Sequence, residues 1–323
     1  MDEKRVSNQK ASEKNKKERN NHRAREIKSD KFKRVQSPSS INTYNQCPRK
    51  YYYNYIEELE TFPSIHLIRG KLTHSVLEEF FKVDITKVSE SNFMFELRIV
   101  LMELFKKHWN ENADEINDLD LTQNEINFYH EETKEMVISW FKRFIHNIAD
   151  DMNKVGLINA FKKHTPKTEE EFISEEHGVR GFIDAIYEYE KDVSNPSGKS
   201  DANILGNIHS RCEKEVYLID YKTSKKAVIT TEYRLQLAIY ALLYQEKYGF
   251  LPKKAGLDFL KFDSAPLYLD VDKELVEMAK REVAKIHENT KTTDKKQYRK
   301  NITSLCKWHS GQCDFYDVCK DDE

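Results

Sequence analysis

The sequence predicts an α/β fold, a mixed sheet of four or five strands flanked by helices, with a helical lobe towards its N-terminus. Three observations carry this. Val216-Tyr217-Leu218-Ile219-Asp220-Tyr221-Lys222-Thr223 is apolar on both faces of its period-two pattern, as expected of a strand inside a sheet. Gly178 to Tyr187 is a second strand-like run, with Asp184 among apolar neighbours. Long stretches of helical periodicity precede and follow these strands.

In chain order, residues 1–36 hold 13 Lys and Arg against 6 Asp and Glu, a net of +7, and few large apolar side chains. Such a segment cannot bury enough surface to offset its ordering entropy, so disorder is expected. It reads either as a basic arm that tracks phosphates or as a solvating tail. Ser39 or Ser40 can cap a helix running through Ile41 and Tyr44 towards Cys47-Pro48. The tyrosines from Tyr51 to Tyr55 then pack that region onto the core or, beside Arg49 and Lys50, stack on bases. Gly70 to Lys82 is helical, with Leu72, Val76, Leu77, Phe80 and Phe81 on a broad apolar stripe and His74 near the start.

Residues 83–165 read as a helical insertion, with one stripe through Leu97, Leu101 and Phe105 and another through Met136, Trp140 and Phe144. It carries no catalytic signature. The α/β core follows over 166–290. Glu171 to Glu176 and Arg180 to Glu190 should pair around a turn at Gly178, and a long loop, Lys191 to Lys214, leads into the Asp220 strand. Thr230 to Tyr248 is a helix ended by Gly249, with Gln236 and Tyr240 one turn apart on one row. Two antiparallel strands, Ala255 to Phe262 and Pro266 to Val271, precede a helix over Lys273 to Asn289, and residues 300–323 carry a cysteine cluster.

The net charge of −2 excludes little, because the charge is unevenly spread over the chain. No apolar run reaches the roughly 18 residues of a membrane span, and the charged N-terminus lacks an apolar signal segment. Five cysteines, an odd number, point to metal ligation in a reducing compartment, so an intracellular protein is expected.

Asp220 and Lys222 share one strand face, and a buried carboxylate and ammonium are costly unless paired or bound to a cation. Alone, this pair is equally an ion pair of a surface hairpin. Asp184 on a second strand changes that reading, since two converging acids beside a lysine suit Mg²⁺, which keeps waters that can act as nucleophile. Lys222 would then steady or deprotonate such a water, or neutralise charge building on a phosphate. Cys306, Cys313 and Cys319 lie within fourteen residues, and Cys47 completes four thiolates, the complement of a [4Fe–4S] cluster or a structural Zn²⁺. His309 is an alternative zinc ligand, and Cys212 reads as a spare thiol.

Gly-x-x-Asp at Gly181 to Asp184 followed by Asp220-Tyr221-Lys222 resembles the PD-(D/E)XK nuclease superfamily. Gly70 to Glu79, with His74, and Gln236 to Tyr240 are similar to further motifs of its RecB-like branch, which includes nucleases of recombination helicases and of CRISPR spacer acquisition. Ser39 to Tyr55 resembles that branch's N-terminal cysteine segment. The resemblance implies a RecB-like nuclease domain over 37–323 with a restriction-endonuclease-like sheet, and a metal-dependent deoxyribonuclease, an exonuclease on single strands or DNA ends in recombination, repair or replication. A helicase or recombination partner would be in keeping with that. It implies Mg²⁺ or Mn²⁺ on His74, Asp184, Asp220 and the Tyr221 carbonyl, with Lys222 activating water and Gln236 and Tyr240 positioning substrate. Glu175 or Glu176 would join the metal's outer shell. It also implies an iron–sulfur staple on Cys47, Cys306, Cys313 and Cys319, although six residues separate Cys306 from Cys313 where the branch commonly has two. The competing readings are a non-catalytic DNA-binding module and a scaffold on a nuclease fold.

Overall fold

The computed structural model describes residues 34–190, 214–309 and 311–322. Most of the basic N-terminal segment, the 191–213 loop and Cys212 lie outside these residues. The expected disorder through residue 36 is corrected at its end: Gln36 is fully buried, and its amide donates to the Gly178 carbonyl at 2.8 Å.

Helix α1 (Pro38–Gln46) is capped by Ser37, not by Ser39 or Ser40; Ser40 instead stands at N3 and completes the capping box. Helix α2 (Pro48–Tyr55) follows at once, with proline at its first position, where the missing N–H costs nothing. Its tyrosines pack: Tyr51 and Tyr53 are buried, and Tyr51 stacks on Tyr298 with ring centroids 6.2 Å apart. Helix α3 (Ile65–Phe80) starts earlier than its motif, on a Ser64 cap. Helices α4 (Phe93–Glu111), α5 (Ala113–Asn117) and α6 (Gln123–His164) form the helical region before the sheet; α6 bends at Gly156, whose φ of 76° suits glycine.

The sheet contains β1 (Lys167–Ser174), β2 (Val179–Glu190), β3 (Lys214–Lys222), β4 (Lys254–Phe259) and β5 (Leu267–Asp270), in the order β1-β2-β3-β4-β5. Only the β3–β4 pair is parallel. The crossover that this demands is α7 (Thr231–Tyr248), capped by Thr230 and closed by Gly249 at φ 79°. Helix α8 (Lys273–Asn289) packs beside α7. The mixed sheet therefore has helices on both faces. Val216 and Leu218 join α1, α2, α7 and α8 in one core, whereas Ile219 and Tyr221 join α3, α4 and α6 in the other. β3 is apolar on both sides because it lies between two cores.

The C-terminal segment, with the short strands β6 (Lys307–Trp308) and β7 (Gly311–Gln312) and helix α9 (Tyr316–Lys320), returns to α2. The Arg49 guanidinium donates to the Tyr298 carbonyl at 2.8 Å and to Asp322 at 2.6 Å; Asp322 also holds Lys295 at 2.6 Å and Tyr53. Lys295, Tyr53 and Arg49 together keep the Asp322 carboxyl well below the usual carboxylate range. A depressed acid contributes stability that is present above its unfolded pKa and lost only as pH falls through the lower folded value, so mild acid should leave the clamp closed. Asp322→Asn should open it at neutral pH, and limited proteolysis should release the C-terminal segment from the variant several-fold faster than from the wild type.

Candidate active site

The site forms where β2 and β3 part. Their pairing ends at Ala185↔Ile219, and one residue further on the Asp184 side chain enters the gap, its Oδ2 accepting the Tyr221 amide at 2.6 Å. Opposite Asp184 on β1, Glu169 is missing from the ladder and has a φ of 49°, an irregularity that turns its carboxylate towards the same gap. Across Asp184 the alternation also breaks: Ile183 belongs to one core and Ala185 to the other.

Helix α3 brings His74 in from one face. Its Nε2 is 3.0 Å from the Tyr221 carbonyl oxygen, and its Nδ1 is 3.4 Å from Asp184 Oδ1 and 3.8 Å from Glu169 Oε1. Helix α7 closes the other face. Gln236 Nε2 donates to Asp220 Oδ1 at 2.7 Å, the Tyr240 hydroxyl donates to the same oxygen at 3.2 Å, and Lys222 Nζ donates to Gln236 Oε1 at 2.9 Å. Lys222 Nζ also lies 2.5 Å from Asp220 Oδ2, and 5.0 Å above the Tyr233 ring. The adjacent motif residues thus clasp Asp220 and Lys222 directly. Gly181 allows this approach, since a Cβ there would come 2.9 Å from the Tyr240 ring.

Charge is concentrated in little solvent. Asp184 and Asp220 are 6% and 3% exposed. Burial, then the charge of Asp220, pushes the Asp184 carboxyl up to about 6, against the opposing pull of His74. Burial alone would lower His74, but Asp184, Glu169 and Asp220 hold it well above its usual value. Burial would likewise lower Lys222, yet Asp220 and Asp184 keep its ammonium charged.

These groups meet the requirements of a hard or borderline cation. His74, Glu169 and Asp184 each offer an atom within 4.8 Å of the others. Asp220 Oδ2 is buried against the Lys222 ammonium at 2.5 Å. His74 Nε2 and the Tyr221 carbonyl oxygen meet at 3.0 Å, a hydrogen-bond contact that an ion bound between them would replace. A centre of this kind can polarise a phosphodiester and a water together, with Lys222 beside them.

Every residue expected from the motifs gathers here except the outer acids. Glu175 and Glu176 stand in the β1–β2 turn, where Glu176 clusters with His177 and Glu246 instead. The acid at the site is Glu169, which the sequence reading missed. Its only signal was the run Glu169-Glu170-Glu171, and nothing in that run marks which acid leaves the regular strand.

The four cysteines line a separate cavity of about 200 Å³, together with Tyr53 and Phe315. All four are free and half-buried. Cys47 Sγ accepts the Asn301 amide at 3.5 Å, and burial with Cys47 and Cys306 nearby pushes the Cys319 thiol up against the pull of Lys300. Among the described residues no three of these thiols lie within 4.8 Å of one another, and His309 is exposed and does not line the cavity.

A buried acid pair beside a charged lysine on a central strand, reached by a helical histidine, is a centre suited to hydrolysing phosphodiesters. A sequence profile of the PD-(D/E)XK nuclease superfamily matches residues 36–320, and the chain belongs to that superfamily. No curated protein matches it. Among solved structures it is similar to a candidate exonuclease from Eubacterium rectale, at 13% identity and a TM-score of 0.45, over 93% of this chain and 92% of that one. Among the described residues no helix is long and apolar enough to cross a membrane.

Proposed function

We propose that the protein is a metal-dependent deoxyribonuclease of the RecB-like branch, acting as an exonuclease on single strands or DNA ends within a reducing, intracellular compartment. The observation that carries this is the meeting of His74, Asp184, Asp220, Lys222 and the Tyr221 backbone at the parting of β2 and β3. His74, Asp184, Asp220 and the Tyr221 carbonyl would hold Mg²⁺ or Mn²⁺, and the imidazole nitrogen favours Mn²⁺. When bound, the ion supplies Lewis-acid polarisation of the phosphate and a water of lowered pKa. Lys222 neutralises charge developing on the phosphate and orients the water, while Gln236 and Tyr240 fix the geometry of Asp220 and Lys222. The helices of residues 83–165 wall a DNA channel.

Glu169 lies 3.8 Å from Nδ1, the ring nitrogen opposite the one beside the Tyr221 carbonyl, and acts as an outer partner that orients His74. Glu169→Gln should weaken Mn²⁺ binding about 10-fold with little change in melting temperature. Calorimetric titration of chelator-treated protein measures this, and unchanged affinity would remove Glu169 from the centre. The activity itself is tested by metal-dependent release of end label from DNA.

Cys47, Cys306, Cys313 and Cys319 would hold a [4Fe–4S] cluster. Tetrahedral zinc with bonds of about 2.3 Å draws its thiolates to about 3.8 Å from one another. The supports for this reading are the four free thiols around one cavity and the resemblance to the branch's cysteine staple, and Zn²⁺ on the same thiols is the alternative.

A further inference from the structure

Helix α3 carries more than His74. Its Ile65 and Ile68 are buried with Ile116, which turns the opposite row outward. On that row Leu67 is 70% exposed, Lys71 is exposed, and the next member is His74. The spacing of four and then three residues makes Leu67, Lys71 and His74 one stripe, rising about 10 Å along the helix from the metal-side histidine. Phe62, just before the helix, is 65% exposed.

The loop that follows β3 runs beside this stripe. A side-chain carbon placed on Gly70 would lie 3.9 Å from Thr223 Oγ1, so helix and loop meet there, one residue beyond Lys222. The loop continues into Lys225 and Lys226, both exposed. Lys225 lies near enough to His66 to help burial and Arg69 depress that imidazole. Arg69 and Lys261, the nearest other cations, are both taken up by Glu132. Lys71, Lys225 and Lys226 have no ion-pair partner among the described residues. Large exposed apolar side chains next to lysines without ion-pair partners, beside the proposed nuclease centre, match unpaired nucleotides in both base and backbone.

We propose that Phe62, Leu67, Lys71, Lys225 and Lys226 form a platform for single-stranded nucleic acid, with bases resting on the apolar side chains and phosphates on the lysines. The platform leads a strand towards Asp184 and Asp220, and it rests on the nuclease reading of that centre. A duplex keeps its base faces stacked inside, so it can use the lysines alone. The apolar half of the platform therefore confers preference for single strands, while the lysines serve either substrate.

The test measures binding of labelled oligo-dT and of a hairpin duplex of equal nucleotide number to the full chain in chelator. Phe62→Ala/Leu67→Ala should weaken oligo-dT binding at least about 5-fold, the loss of a single stacked base, and leave the duplex unchanged. Lys225→Ala/Lys226→Ala should reduce the slope of log Kd against log salt by about 1.4 for oligo-dT, as expected for two lost phosphate contacts. Unchanged oligo-dT affinity in the apolar variant, or an equal loss for duplex, overturns the proposal. Cleavage of bis(p-nitrophenyl) phosphate with Mn²⁺ separates the two readings. Equal rates in wild type and both variants are expected, and a matching loss in the variants would place these residues in the centre and overturn the platform. A wild type inert to this substrate and to DNA, yet still preferring oligo-dT through Phe62 and Leu67, would defeat the nuclease reading and support the platform.

Discussion

Lys222→Ala should abolish DNA cleavage, lowering kcat about 10³-fold, while the melting temperature changes little. Its ammonium is held by Asp220 Oδ2 at 2.5 Å, Gln236 Oε1 at 2.9 Å and the Tyr233 ring at 5.0 Å, all within the site. None of these contacts ties distant parts of the fold together. Removing a preorganised charge from a dry site typically costs 10²–10³ in rate, roughly 3–4 kcal/mol. Asp220→Ala should lose as much activity. Its Oδ2 faces the Lys222 ammonium and its Oδ1 accepts from Gln236 and Tyr240, so this variant should also melt lower than Lys222→Ala, which leaves the Gln236 and Tyr240 contacts in place. Degradation of end-labelled DNA, measured beside a thermal melt, decides this. Full activity in either variant would remove both residues from the catalytic role.

The second large effect concerns the cysteines. Cys47 is the N-cap residue of α2, and Cys306, Cys313 and Cys319 return to it across most of the chain, around one cavity. A cluster shared by these thiols would close a very long loop and add its ligand-binding free energy to folding. The protein purified without oxygen should be brown, absorb near about 400 nm and carry roughly four irons per chain. Cys313→Ala should lose the colour and melt about 4–5 °C lower, the shift expected for a loss of about 3 kcal/mol in a chain of this size. Activity should fall only as structure falls, because the cysteine cavity shares no lining residue with the active centre. Colourless protein with stoichiometric zinc would replace the cluster by zinc and keep the staple. Metal-free protein as stable as the Cys313→Ala variant would end both.

Much of this site was legible in the sequence because its residues stand in regular elements. The alternation of β3 placed Asp220 and Lys222 on one face, and helical spacing placed Gln236 and Tyr240 on one row of α7; both placements hold in the structure. The helix over Lys273–Asn289 appears with the bounds its apolar periodicity predicts. What escaped depends on departures from regularity. Glu169 reaches the site through a positive φ and a missing ladder pair, which no period-two pattern encodes. The cap of α1 was misplaced by two or three positions because Ser37, Ser39 and Ser40 all have capping chemistry; the partner of Ser40 decides it, and that requires geometry. Glu175 and Glu176 fit the expected acid by composition, but the turn they occupy points them to the far end of the β1–β2 hairpin.

The central claim is a metal-dependent nuclease, and its most direct test is incubation of the wild-type protein with end-labelled single-stranded DNA, with and without Mn²⁺. The account predicts stepwise release of short labelled products from a DNA end with Mn²⁺, a lower rate with Mg²⁺, and none with chelator. DNA that binds but stays intact with every divalent ion would contradict it and leave a binding module on a nuclease fold.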